Sequence, residues 1–304
     1  MSLQQRAAID SMLRRQPLPM ARPTIEQQRA AYADLMSQMI VPDGIRTTET
    51  KLGGMRTLLI EPDGPSRPGT ILFFHGGSFV VGSPETELGL TASLVVRTGF
   101  PAWSPDYRLA PEHPFPAGVN DGLTAYRALL EGGADPAATV LAGDSAGGGL
   151  VIATLIQVRQ AGLPMPAAAV VFSPGLDATR TGASMDTKAG LDPILTREGL
   201  QPNLERYLAG ADPHQELLSP ATLADLTGLP PLLLQAGTNE VLLDDSTRLA
   251  ARARDAGVDV ILDVTAGVPH VFQTYTGVLD EADQALDRAA LFLQQHVTPA
   301  RAEV

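Results

Sequence analysis

The chain has 304 residues, 44% apolar and 18% charged, with 22 basic against 34 acidic side chains, a formal charge of −12 and no cysteine. A mean hydropathy of +0.05 excludes the polar composition of disordered chains, and apolar runs such as Ala167 to Phe172 fall far short of the ~18 residues of a membrane span. A pI near 4.8 with only two lysines, Lys51 and Lys188, argues against nucleic acid and anionic membranes, and the missing cysteines exclude disulfides, a thiol nucleophile and cysteine metal sites.

Met1-Ser2-Leu3-Gln4-Gln5 lacks the basic start and apolar run of a secretory signal, so a cytoplasmic location is expected. Gln4 to Arg15 carries apolar positions at Ala8, Ile9, Met12 and Leu13, and Thr24 to Ile40 at Tyr32, Leu35, Met36 and Met39. Both segments read as helices, the second capped by Thr24, and Gln16-Pro17-Leu18-Pro19 breaks the pattern between them. The pair is expected to lie over the main domain rather than in its sheet.

From Ile45 the period becomes that of strands. Ile45 to Leu52 and Met55 to Glu61 flank Gly53-Gly54, a two-residue hairpin turn. Strands are then expected at Thr70 to Phe74, Pro101 to Ser104, Thr139 to Ala142, Ala168 to Phe172, Pro231 to Gln235 and Val258 to Val264. Helices fall between and after them, at Thr86 to Arg97, Ala117 to Leu130, Ala146 to Gln160, Asp244 to Ala256 and Glu281 to Gln295. Apolar strands alternating with helices mark an α/β fold with a mostly parallel sheet covered on both faces. Leu176 to Pro230 interrupts the alternation with one helical stretch, Thr196 to Leu208, and is expected over the C-terminal strand ends as part of a lid. An edge strand near Val258 to Val264 leaves a homodimer open.

Gly143-Asp144-Ser145-Ala146-Gly147 has the form G-x-S-x-G, with a strand running in and a helix running out. Such a turn lifts Ser145 above the sheet at a helix N-terminus, where free N–H groups favour negative charge. Phe73-Phe74-His75-Gly76-Gly77-Ser78 follows another strand. Its glycines let the backbone approach a ligand, and Gly76, Gly77 and Ala146 are three candidate N–H donors to an oxyanion.

A serine needs a base to take its proton. Of five histidines, His75 lies in the glycine loop, His113 between prolines, His214 in the inserted segment and His296 at the end of the last helix. His270, in Gly267-Val268-Pro269-His270-Val271-Phe272, remains as the base. The orienting acid belongs between serine and histidine in chain order. Glu240 follows a strand directly and is favoured over Asp244 and Asp245, which fall in a first helical turn.

These motifs, with Tyr107-Arg108-Leu109-Ala110-Pro111-Glu112, resemble the bacterial hormone-sensitive-lipase family of α/β-hydrolase esterases over about residues 40 to 300. The resemblance implies an eight-stranded α/β-hydrolase core, a helical cap, no cofactor, and hydrolysis of small-molecule acyl esters; no metal is expected, because the histidines show no short-range pairing and cysteine is missing. On that reading 1–42 and 177–220 form the cap, and 43–176 and 221–304 the core. The family commonly has a third glycine at Ser78 and an aspartate at Glu240. It also implies that Tyr107 to Glu112 supports the oxyanion loop; Arg108, if buried, would need Asp106 or Glu112 as partner. Asp144 reads as a hydrogen-bonding neighbour of the nucleophile.

The expected activity is that of a carboxylic-ester hydrolase with Ser145 as nucleophile, His270 as base and Glu240 as orienting acid, acyl length being set by cap side chains such as Leu204 and Tyr207. Lactone or amide hydrolysis shares the acyl intermediate, and a binding protein on the same fold is the rival from another class.

Overall fold

The computed structural model of the chain describes residues 2–15 and 23–297; the join expected at Gln16 to Pro19 lies outside them. In chain order the elements are α1 (Ser2–Arg14), α2 (Ile25–Met36), β1 (Ile45–Leu52), β2 (Met55–Pro62), β3 (Thr70–Phe74), α3 (Leu88–Thr98), β4 (Ala102–Pro105), α4 (Ala117–Glu131), β5 (Thr139–Asp144) and α5 (Ser145–Gln160). They continue with β6 (Ala168–Phe172), α6 (Ser184–Thr187), α7 (Arg197–Leu208), α8 (Pro220–Leu223), β7 (Leu232–Asn239), α9 (Leu243–Asp255), β8 (Val260–Pro269) and α10 (Asp280–His296). The strands form one sheet in the order β1-β2-β4-β3-β5-β6-β7-β8, antiparallel at β1/β2 and β2/β4 and parallel elsewhere. This is the expected eight-stranded, mostly parallel sheet.

Side chains alternate between the faces of a strand, so a central strand that is apolar throughout serves two cores at once. Phe74 of β3, Leu141 of β5, Val171 of β6 and Leu234 of β7 face a core shared with α4, α5 and α9. Phe73, Val140, Val170 and Leu233 face a second, shared with α3 and α10.

Strand ends differ from the local reading. β5 runs on through Gly143 and Asp144, residues that punctuate a sequence, because they still pair with Val171 and Phe172. β7 and β8 extend together to Asn239 and Pro269, with one irregularity at Gly237/Asn239. His270 therefore sits at a strand end, not far out in a loop. α2 stops at Met36, before the expected Ile40, with Ser37 as its C-cap.

The helical regions outside the sheet touch one another. Ile25 and Tyr32 of α2 join an apolar cluster with Val80, Val81, Tyr207 and Leu218, and Arg206 of α7 hydrogen-bonds Gln28 at 3.2 Å. The Thr24 side chain caps α2, in a capping box with Gln27. α1 packs elsewhere, setting Ile9 and Leu13 against Val268, Phe272 and Ala282, while Arg14 donates to the carbonyls of Gly190 and Leu191. No helix among the described residues is long and apolar enough to cross a membrane.

In the β1–β2 hairpin, Gly53 and Gly54 have φ of +57° and +84°, the left-handed pair that matches the strand twist. A side chain at either position costs about 1–2 kcal/mol in that conformation. A Cβ on Gly53 would also lie 2.8 Å from Thr124 Cγ2 of α4, whereas one on Gly54 meets nothing within 4 Å. Urea unfolding should therefore show Gly53→Ala losing more stability than Gly54→Ala; equal losses would mean the contact with α4 imposes no constraint.

Candidate active site

Ser145 is the first residue of α5 and has φ of +49°, a left-handed conformation that side chains rarely adopt. The bend is held because its flanks interlock. A Cβ on Gly147 would lie 2.0 Å from the Phe74 carbonyl oxygen, and one on Gly143 2.7 Å from that same oxygen. The Ser145 carbonyl accepts the Gly175 N–H at 2.9 Å, tying the bend to the loop after β6.

The hydroxyl meets an imidazole from the far end of the chain. His270 Nε2 lies 2.9 Å from Ser145 Oγ, and Nδ1 lies 2.8 Å from Glu240 Oε2. Glu240 is fully buried, and its other oxygen accepts from Ser173 Oγ at 3.0 Å and from the Gly237 N–H. Ser173 Oγ also accepts the Val271 N–H at 3.0 Å, so one hydroxyl links Glu240 to the residue beside His270. Desolvation pulls the proton affinity of His270 down, but the hydrogen bond and charge of Glu240, helped by Asp192 and Asp144, outweigh it and hold the pKa above 6.5.

Asp244 has no hydrogen bond to the imidazole among the described residues and accepts the Ser184 N–H at 2.9 Å. Asp245 accepts the N–H groups of Leu176 and Asp177. The other histidines lie apart: His214 contacts Asp212 at the surface, and His296 the Phe292 carbonyl.

The glycine loop requires a correction. The Gly76 N–H donates to Asp144 Oδ1 at 2.9 Å, so it is not a free donor as the sequence reading has it. Gly77, with φ of +112°, and Ser78, with φ of +55°, have backbone N–H groups that meet no acceptor among the described residues. The Ala146 N–H, in the first turn of α5, has no carbonyl within the helix to bind. Ser78 thus stands at the third-glycine position with a left-handed backbone of its own. Burial raises the pKa of Asp144 to about 7, against the pull of the His270 charge and the Gly76 N–H.

Behind the loop, the Tyr107 hydroxyl donates to the His75 carbonyl at 2.8 Å and the two rings stack at 4.3 Å. Burial lowers the pKa of His75 to about 4, so the ring is neutral. Arg108 is half-exposed and pairs with Asp121 at 2.7 Å rather than with Asp106 or Glu112. Those two carboxylates are taken by Arg56 and Arg29. Asp121 lies one helical turn inside α4, and nothing in the Tyr107 to Glu112 stretch announces it.

Beside Ser145 opens a cleft walled by Phe79, Leu200, Leu204, Tyr207, Leu218 and Leu242 and with Asp177, Arg180 and Asp245 as its charged members. Phe79 and Tyr207 stack at 4.0 Å. Sequence reasoning missed Ser173 and Asp192, which accepts the Val241 N–H beside the acid at 2.9 Å. The available signal is its place: Ser173 directly follows β6, the strand beside β5, at whose C-terminal end Ser145 stands.

The chain is similar to known proteins over most of its length. A family model described as the alpha/beta hydrolase fold matches residues 71–274. The chain is 45% identical over 225 residues to an acetyl-hydrolase of Streptomyces hygroscopicus, covering 74% of this chain and 75% of that protein. It is 34% identical over 275 residues to an esterase of Acinetobacter venetianus, covering 89% and 87%. The crystal structure of an esterase from the bacterial hormone-sensitive lipase family is similar with a TM-score of 0.92 at 40% identity, over 97% of this chain and 99% of that one. The chain belongs to the bacterial hormone-sensitive-lipase family of α/β hydrolases and is a carboxylesterase, a serine hydrolase.

Proposed function

We propose that the enzyme hydrolyses short to medium acyl esters through Ser145, His270 and Glu240 and an acyl-enzyme intermediate. The observation that carries this reading is the unbroken relay from Ser145 Oγ to His270, 2.9 Å, and from His270 to Glu240, 2.8 Å. Ser145 Oγ attacks the acyl carbon while Nε2 takes its proton, and Glu240 keeps the other ring proton on Nδ1. The oxyanion of the tetrahedral intermediate turns to the N–H groups of Gly77, Ser78 and Ala146. One such donor typically contributes about 2.7–4 kcal/mol to the transition state. His270 returns its proton to the leaving alkoxide, and water repeats the cycle on the acyl group. α2 and the 177–220 segment act as the cap, with Leu204 and Tyr207 bounding the acyl chain.

Ser145→Ala should abolish hydrolysis of p-nitrophenyl butyrate with an unchanged far-UV circular dichroism spectrum; turnover that survives would end the assignment. The neutral imidazole is the working form, so kcat/KM should fall as pH drops through a midpoint above 6.5. Glu240→Gln removes the charge that favours the imidazolium, so this acid limb should move to lower pH while kcat falls by about 10⁴-fold. Asp244→Asn should leave the limb where it is. The opposite ranking would transfer the orienting role to Asp244.

A homodimer belongs to the same proposal. β8 ends the sheet, and its free edge carries the exposed side chains of Ile261, Leu262 and Val264. Pairing with β8 of a second copy would satisfy that edge. Sedimentation should show a dimer that Ile261→Lys with Val264→Lys converts to monomer; a monomeric wild type would remove this part of the proposal.

A further inference from the structure

The proposed mechanism leaves one charged member of the cleft without a role. Arg180 lines the same cavity as Ser145, yet no carboxylate oxygen among the described residues lies within 4.0 Å of its guanidinium. Its neighbours are engaged: Arg248 pairs with Asp177 at 3.2 Å and Arg197 with Asp186 at 3.0 Å. Among the described residues Arg180 donates only to two carbonyls, those of Arg197 at 3.2 Å and Leu200 at 3.0 Å, out of five N–H bonds it carries.

Arg180 is half-buried, so its guanidinium gives up part of its water without gaining a counter-ion among the described residues, which is unfavourable. Burial, aided by the like charge of Arg197 and opposed by Asp245, lowers the pKa of Arg180 to about 10, so it stays cationic at neutral pH. Its φ of +52° adds backbone strain of a kind that persists where a side chain must be aimed. The two carboxylates of the cleft are committed elsewhere. Asp177 binds Arg248 and the Thr179 and Thr181 hydroxyls, and Asp245 holds two backbone N–H groups while burial raises its pKa to about 7. In a protein of net charge −12 the uncommitted charge inside the substrate cleft is positive.

We propose that Arg180 recognises an anionic group on the substrate, so that the preferred esters carry a carboxylate or comparable anion on the acyl or the alcohol side. This rests on the esterase reading of the cleft and names its substrate class. The planar guanidinium can grip a carboxylate with two parallel N–H bonds, in a pocket whose remaining wall is apolar. The protein's overall field repels anions, so such recognition has to be local and specific.

The test compares anionic esters with neutral partners of the same shape. For the acyl side these are mono-p-nitrophenyl glutarate and its methyl ester; for the alcohol side, O-acetyl lactate and its methyl ester. Wild-type kcat/KM should favour the anion in one arm, and Arg180→Gln should lower the ratio of anionic to neutral kcat/KM in that arm by about tenfold or more, the size of one charge-assisted hydrogen bond. Arg180→Lys should recover part of the ratio. Should Arg180→Gln fail to fold, the wild-type preference and the Arg180→Lys ratio decide. A merely structural Arg180 would lower both rates together and leave the ratio unmoved, and a wild type without anion preference in either arm would overturn the proposal. Turnover of p-nitrophenyl butyrate by the wild type separates this outcome from failure of the esterase reading itself.

Discussion

One residue held in an unfavourable backbone conformation organises the site. Ser145 stands at φ of +49°, and nothing about a serine favours that state. What imposes it is the continuity of β5 into α5 under the Phe74 carbonyl, at a distance that leaves no room for a Cβ on Gly143 or Gly147. The strain is of order 1–3 kcal/mol, and the packing of two cores around β5 over-determines it. In return the hydroxyl projects from the sheet to 2.9 Å from the His270 imidazole, beside the free N–H groups at the start of α5.

Around the bend, buried carboxylates do the work that sheet partners do elsewhere. Loops at strand ends have backbone N–H groups with no ladder to join, and a buried donor without an acceptor costs about as much as a lost hydrogen bond. Asp144 takes that of Gly76, Asp192 those of Ile194, Leu195 and Val241, and Asp245 those of Leu176 and Asp177. Part of the acidic composition is therefore interior. Glu87 differs: it accepts one hydrogen bond, from Tyr32 of α2, and burial beside Asp144 keeps its carboxyl protonated well above the usual range. That bond joins α2 to a buried carboxyl at the start of α3.

The legible and the illegible parts of the molecule separate by distance along the chain. The continuous apolar runs of Thr70 to Phe74 and Ala168 to Phe172 mark both strands to the residue, because each run is complete within five positions. The ends of β5, β7 and β8 are misread because pairing across the sheet carries them through glycine, aspartate and asparagine. Gly76 reads as a donor to substrate, since no local signal says that Asp144, 68 residues later, already holds its N–H. Arg108 is assigned neighbours from its own motif although Asp121 is its partner, and Ser173 passes unnoticed because its two contacts are 67 and 98 residues away.

The sequence by itself determined the α/β class, the hairpin at Gly53-Gly54 and the residue types offered for nucleophile, base and acid, since each depends on spacing within a few positions. Only the tertiary structure decided that Ser145, Glu240 and His270 touch, which loop donors are free, and that an unpaired cation faces the cleft. Those outcomes turn on which polar groups burial forces together, and burial is a property of the folded whole.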